Sequence, residues 1–350
     1  MESSGPGSER PARVTIRQVA DLAGVSIATV SRVMNGHADV AESTREAVRR
    51  VVREHGYRTS QRARPGASTG LVGVTLPMVH SGYFATILAG ISEALYEHDM
   101  RVVLCPTRHS LSRETSLLDH LTAGETDGAI LVLPEETGQD LQALVDQGFP
   151  FVVVDPLTEL TEGIQVVCAA HSSGASQVTR HLLELGHQRI GVLAGPRGWL
   201  ATEERMRGYR AAMAEAALLP DPELIHHSPF RLDGGRDGAD RLLALADPPT
   251  AIFALNDSMA VGAIQAASAR GIGVPADLSI AGFDDTLEAG ICVPALTTVR
   301  QPLAELGRTA VSVLLRQIEN RSFEPLRMEL ATSLVIRAST APPRRPPRRH

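Results

Sequence analysis

The chain has 350 residues, 43% hydrophobic and 21% charged, with a formal net charge of −6. That length predicts two or three domains with sizeable cores. Cys105, Cys168 and Cys292 are far apart and odd in number, which excludes a disulfide framework or a cysteine metal site and points to a reducing compartment, the cytoplasm. No apolar run approaches the ~20 residues of a membrane helix, and the polar opening MESSGPGSERPAR lacks the apolar stretch of a signal peptide. The net charge conceals an asymmetry: residues 1–70 carry 11 arginines against 7 acidic residues, and 71–350 carry 23 against 33. A basic head on an acidic body is the distribution of a small nucleic-acid-binding module joined to a larger domain.

In chain order, residues 1–13 read as a disordered extension and 14–57 as three short helices. Thr15 and Gln18 form a capping box for the first, which Gly24 ends in a left-handed turn. Ser26 caps the second, where Val30, Val33 and Met34 recur at i, i+3, i+4 and Asn35-Gly36 stops the run. The third runs from about Ser43 to Glu54, with Ala47, Val48, Val51 and Val52 inward and arginines around them. Residues 58–70, RTSQRARPGASTG, have linker composition. Beyond them, strand-like runs alternate with helix-length segments: LVGVTLP (71–77), RVVLCPT (101–107), GAILVLP (128–134), FVVVD (151–155), RIGVLAG (189–195), AIFALN (251–256) and LSIAGFD (278–284). Near-continuous apolar strands separated by helices predict an α/β body of parallel sheets covered on both faces. Its size calls for two subdomains. The Pro/Arg tail 341–350 reads as disordered.

The spacing of Ala20, Gly24 and Val30 suits a helix-turn-helix: a small residue at the crossing, a left-handed turn, and an apolar lock on the second helix. With Val30, Val33 and Met34 inward, Ile27, Ala28, Ser31 and Arg32 point outward, where a recognition helix meets base edges in the major groove. A plain surface pair of helices could share the spacing, but not together with the capping and the basic third helix.

Residues 14–57 resemble the LacI/GalR family of bacterial transcription regulators. The resemblance continues through HLLELGHQRIGVLAG (181–195), RMRGYRAAM (205–213), AIFALNDSMAVGAIQAA (251–267), GIGVPADLSIAGFDD (271–285), ALTTVRQPLAELG (295–307) and LVIRAST (334–340). It implies an N-terminal helix-turn-helix three-helix head and a periplasmic-binding-protein-like body, 71–340, of two doubly wound parallel-sheet subdomains with chain crossovers near 157–170, 285–298 and 320–330. It further implies a homodimer that reads a palindromic DNA operator and holds a small-molecule effector, a sugar, in the body's cleft. In the family's pattern Ile27, Ala28 and Arg32 carry base readout, and only Arg32 can make a bidentate contact to guanine. Thr15, Ser26, Thr29, Ser31, Asn35 and Thr44 are candidates for phosphate contacts.

In open α/β sheets ligands sit beyond the carboxyl ends of strands. Asp155, Asn256-Asp257 and Asp284 end strand-like runs, and Arg205 opens the helix after another. The resemblance assigns effector hydrogen bonds to Asp155, Arg205, Asn256 and Asp284, and apolar walls to His80, Tyr83, Phe84 and Phe230. Asp257 is expected to cap the following helix instead. His181, His187, His226 and His227 lack metal-pair spacing and read as surface residues. An α/β enzyme acting on sugars, with an accessory DNA-binding head, is the alternative. It would need a nucleophile with its base or a phosphate loop, and no G-x-S-x-G, Walker or zinc motif occurs. No cofactor, no metal and no membrane partner is expected.

The chain departs from its family in three places. Ile27 and Ala28 put no aromatic or amide at the first two readout positions. Ala170 stands where many members carry an aspartate before the crossover helix, which puts the crossover contacts in question. The family's post-head run, roughly Tyr-x-Pro-Asn-x-x-Ala-Arg-x-Leu, forms a hinge helix whose leucine wedges into the minor groove. Here it reads YRTSQRARPG. Pro65 disfavours helix before it, and Gly66 has no side chain to wedge, so the linker is expected to stay extended. Arg62 and Arg64 are then left to enter a minor groove narrowed by A·T pairs. Replacing both with alanine is expected to weaken operator binding and flatten its salt dependence by about two counterions per subunit, measured as the slope of log affinity against log salt.

Overall fold

Three helices form the head, Ile16–Ala23 (α1), Ile27–Met34 (α2) and Glu42–Glu54 (α3). Val19, Ala20, Val30, Val33, Val48 and Val51 are buried between them, as the i, i+3, i+4 pattern requires. Gly24 sits at φ +65° with open space around its Cα, so the turn demands glycine for its backbone alone. Val25 N–H closes that turn on the Ala20 carbonyl at 3.0 Å. Ser26 caps α2 by accepting from the Thr29 amide at 3.1 Å.

The computed structural model describes residues 16–34, 40–54, 68–319 and 326–344. They fall into two units, 1–67 and 68–350. The second opens in what reads as linker. Asp127 accepts from the Ser68 hydroxyl at 2.6 Å and from the Thr69 and Gly70 amides at 2.7 and 2.8 Å, which pins the chain at the start of the body.

The body's strands and helices follow in order: Leu71–Leu76 (β1), Gly82–Tyr96 (α4), Arg101–Pro106 (β2), Leu111–His120 (α5), Gly128–Val132 (β3), Gly138–Asp146 (α6), Phe151–Val154 (β4), Val166–Ala169 (β5), His171–Glu184 (α7), Ile190–Ala194 (β6), Leu200–Glu215 (α8), Ile225–His227 (β7), Leu232–Leu243 (α9), Ala251–Ala254 (β8), Asp257–Ala269 (α10), Ser279–Asp284 (β9), Leu287–Ile291 (α11), Thr297–Arg300 (β10), Leu303–Glu319 (α12), Arg327–Leu330 (β11) and Ser333–Val335 (β12). They build two six-stranded sheets, ordered β11-β5-β4-β3-β1-β2 and β12-β10-β9-β8-β6-β7. All pairings are parallel except β10 with β12. The sheets lose their apolar faces to helix pairs, α4 and α12 against α5 and α6 in the first, α7 and α8 against α9 and α10 in the second.

The chain leaves the first sheet for the second at Ala170, returns at 301–302, and crosses again at 331–332. The first crossing lies at the end of its expected span. The second and third lie beyond 285–298 and 320–330, because β10 first pairs with β9 and β11 first pairs with β5. Residues 320–325 lie outside the described residues. At Ala170 the chain is held through its own main-chain groups. Ala170 N–H donates to the Leu330 carbonyl at 2.8 Å, and the Thr332 hydroxyl donates to the Ala170 carbonyl at 3.2 Å, tying the first crossing to the third.

Two sequence expectations fail here. His187 is 1% exposed, not a surface residue. The C-terminal segment folds back over it, so that its ring meets Thr250 Oγ1 at 2.9 Å, Ser279 Oγ at 3.0 Å and the Ala341 carbonyl at 2.8 Å. Residues 341–344 therefore belong to the body, and Arg344 pairs with Asp277 at 2.7 Å.

Helices α4 and α12 cross at glycines: a Cβ on Gly90 would overlap the Ala304 carbonyl, and one on Gly307 the Ile87 carbonyl. Gly90→Ala is expected to destabilise the body by about 1–3 kcal/mol through overpacking. Gly290→Ala, in open space, should stay within about 0.5 kcal/mol of wild type. Urea unfolding followed by the fluorescence of Trp199, the single tryptophan, checks both.

Candidate functional site

In the head, Ile27, Ala28 and Arg32 are exposed on α2, and Arg17, Arg49 and Arg50 are exposed on α1 and α3. Ile27, at 42% exposure, is a large apolar side chain left in water on the outward face of α2. Ser26 Oγ lies 2.9 Å from Thr29 Oγ1, so these two candidates share one another. Thr44 is half-buried. Thr15, Asn35, Arg62 and Arg64, and the side chain of Ser31, lie outside the described residues.

In the body the chain leaves several strands through left-handed residues at their carboxyl ends: Arg108 and His109 after β2, Leu133 after β3, Asp155 after β4, and Asp284 with Asp285 at β9. Non-glycine residues adopt such angles at a cost that surrounding contacts must offset. Asp155 is 5% exposed, Arg205 4% and Asp284 6%. Asp155 accepts from the Tyr83 hydroxyl, from the Ala169 amide at 3.2 Å and from His171 Nε2 at 3.3 Å. Burial opposes its ionisation, but the electrostatic pull of His171, with the hydrogen bonds from His171, Tyr83 and Ala169, prevails and holds the carboxyl below the usual range.

Arg205 donates to the Leu255 carbonyl and, through Nε at 3.4 Å, to His171 Nδ1. It reaches Asp284 Oδ1 at 3.4 Å and lies over the Phe283 ring at 4.0 Å. Gln301 donates to Asp284 at 2.6 Å. Burial pushes the Asp284 carboxyl up to about 7, against the pull of Arg205 and Gln301. Arg205 does not open its helix; α8 starts at Leu200, and Arg205 lies more than a turn inside it.

Asn256 is the residue that caps α10, accepting from the Met259 amide at 2.9 Å and donating to the Phe230 carbonyl at 3.4 Å. Asp257, expected as the cap, is instead fully buried, taking hydrogen bonds from Thr298 Oγ1 and from the Thr286 amide and hydroxyl. It braces the turn that follows Asp284. Phe230 packs against Trp199 with centroids 5.8 Å apart, and Trp199 against His109 at 5.9 Å, so an aromatic wall spans both subdomains. Phe84 is buried in the first subdomain's core, edge-on to Tyr83, and backs that ring. His80 is exposed at the approach to α4.

Beside this wall His109 pairs with Glu135 at 2.9 Å, and the Glu135 amide donates to buried Glu114 at 2.8 Å. Neighbouring Glu136 is pushed up to about 9 by burial and by the Glu114 charge. His171, Trp199, Phe283 and Gln301 are the cleft residues that sequence reading missed. Gln301 directly follows β10 and His171 stands two residues after β5; reading those two short strands would have exposed both by the strand-end rule that found Asp155 and Asp284.

The profile described as "Bacterial regulatory proteins, lacI family" matches residues 15–60, and the one described as "Periplasmic binding protein-like domain" matches 179–340. The HTH-type transcriptional regulator CelR of Thermobifida fusca is 34% identical over 339 residues, 95% of this chain and 99% of that protein. The chain belongs to the LacI family.

DegA of Bacillus subtilis (strain 168), another HTH-type transcriptional regulator, is 33% identical over 94% of this LacI-family chain and 99% of its own length. Among solved structures, a CelR–cellobiose complex matches at TM-score 0.73 with 34% identity, covering 93% of this chain and all of that one. The lac repressor dimer bound to operator and the anti-inducer ONPF matches at 0.72 with 28% identity, covering 94% and 99%. This LacI-family protein is a sequence-specific DNA-binding transcription regulator, not an enzyme. Among the described residues no helix is long and apolar enough to cross a membrane. Arg32→Ala in this regulator is expected to lower affinity for a DNA site selected by the wild-type protein by about 1–3 kcal/mol per head, leaving the urea unfolding of the body unchanged. Gel shifts against the selected site check it.

Proposed function

We propose that this LacI-family regulator is a cytoplasmic homodimeric repressor that reads a palindromic operator and whose operator affinity is set by a sugar bound in the cleft of the body. The observation that carries the reading is the buried row Asp155–His171–Arg205–Asp284, lying at strand ends beside the aromatic wall of Phe230 and Trp199. A carboxylate accepts from sugar hydroxyls and a guanidinium donates to them, while aromatic faces cover the apolar C–H faces of a pyranose or furanose ring. Every polar group in the row already has protein partners, so a ligand binds by replacing them with hydrogen bonds of its own. One that cannot do so leaves buried charges unpaired and is rejected. The relatives support this: CelR is solved with cellobiose, and a LacI-family regulator from Enterococcus faecium, 30% identical, with bound ribose.

Trp199 makes the test direct. Titration with a panel of mono- and disaccharides including cellobiose and ribose is expected to change its fluorescence for one sugar, and the same sugar should shift operator affinity in gel shifts. Asp284→Asn and Arg205→Gln are expected to need about 10–100-fold more of that sugar, with sugar-free operator binding unchanged. Variants that respond at the wild-type concentration would move the site elsewhere.

A further inference from the structure

We propose that His171 is a positioning residue for the effector response, a neutral imidazole that sets Arg205 of one subdomain and Asp155 of the other from a single ring. The proposal rests on the reading of Arg205 and Asp155 as effector contacts. His171 is the first residue of α7, directly after the first crossing, and is 6% exposed. Its Nδ1 lies 3.4 Å from both Nε and one terminal nitrogen of Arg205, and its Nε2 lies 3.3 Å from Asp155 Oδ1. The ring is backed by Phe283 at 6.0 Å between centroids.

The partners dictate the proton. A guanidinium cannot give up a proton in a protein, so the nitrogen facing Arg205 must be a bare acceptor. The nitrogen facing the Asp155 carboxylate must then carry the hydrogen. His171 is therefore neutral with its proton on Nε2, and the other tautomer would set N–H against N–H on the arginine side. A second proton would do the same. It would turn the Nδ1 contact into a repulsion between two cations and draw Asp155 more tightly onto the ring, taking both groups from a ligand at once.

The charges facing the ring are Asp155 from the exit of β4 and Arg205 from α8. Tyr83 from α4 and Asp284 from β9 act through these two. On the hinge side a cavity of about 300 Å³ adjoins His171. Besides Asp155 its charged lining is the Glu204–Arg207 ion pair on α8 and the oppositely charged Arg327 and Glu329 on β11.

Two measurements on the full chain decide it. In ¹⁵N-histidine-labelled protein at about pH 7.5, the His171 signals, assigned by their loss in His171→Gln, are expected to show a bare Nδ1 and a protonated Nε2. An Nδ1–H tautomer or an imidazolium overturns the proposal, whatever the effector is. Trp199 fluorescence titrations with cellobiose and with ribose then read the coupling. His171→Phe keeps a ring but no nitrogen and should lose about 10–100-fold in affinity. His171→Gln, whose amide accepts and donates but takes up no proton, should bind within about threefold of wild type at pH 8. Between about pH 8 and 5.5, where histidine takes up its second proton, wild type should lose at least about fivefold more affinity than His171→Gln. Asp284 is present in both proteins, and the same difference is expected when both carry Asp284→Asn. A phenylalanine variant that binds like wild type, or equal pH profiles for wild type and His171→Gln, overturns the positioning role. If neither sugar binds wild type, these two sugars are excluded as effectors and the tautomer spectrum alone decides His171.

Discussion

A guanidinium buried to 4% exposure has to be balanced, and the cleft of this regulator is built around that requirement. Arg205 stays charged at any working pH, and taking such an ion out of water costs several kcal/mol before compensation. Compensation comes from both ends of its fork and from one face. The Leu255 carbonyl and His171 accept its hydrogens, Asp284 supplies the opposite charge, and Phe283 lies flat beneath it. Remove the arginine and Asp284, itself buried, loses what draws its carboxyl toward ionisation. The row is thus stable only as a set. That makes it selective: an incoming molecule must match the whole set of donors and acceptors or leave part of it unpaired.

The set spans a joint. Asp155 and Tyr83 belong to the first sheet and its helix α4, whereas His171, Arg205 and Asp284 belong to the second sheet and its helices. The crossings that join the sheets are held by main-chain bonds between Ala170 and Leu330, and Leu200 N–H at the start of α8 donates to the Leu157 carbonyl of the other subdomain at 2.7 Å. These links engage only the main chain of Ala170, Leu330, Leu200 and Leu157, so they do not depend on those residues' side chains. Movement of one subdomain against the other must therefore pass through these crossings and through the polar row beside them. Asp127, gripping residues 68–70, fixes where the linker enters the first subdomain.

The head solves a different problem. Among the described residues six buried side chains, all valine or alanine, pack between its three helices, and Arg17, Arg32, Arg49 and Arg50 are left exposed. Positive charge at this end of the chain is a long-range attraction for phosphate.

Much of this was legible in the sequence. The capped helices, the left-handed Gly24 and the seven long apolar strands are local features: a strand buried on both faces must be apolar along its length, and composition shows that directly. Asp155 and Asp284 were legible because they end such strands. β5, β7, β10, β11 and β12 were not. IHH, TTVR, RMEL and SLV carry polar residues that interrupt any apolar run, and Thr297 and Thr298 are buried through hydrogen bonds that only distant partners provide. With those strands went His171 and Gln301. The sequence by itself thus determined the elements and the chemical groups available at their ends. Tertiary structure alone decided which groups meet, that Asn256 rather than Asp257 caps a helix, and that His187 is buried, because burial and pairing are set by segments far apart in the chain that three crossings bring together.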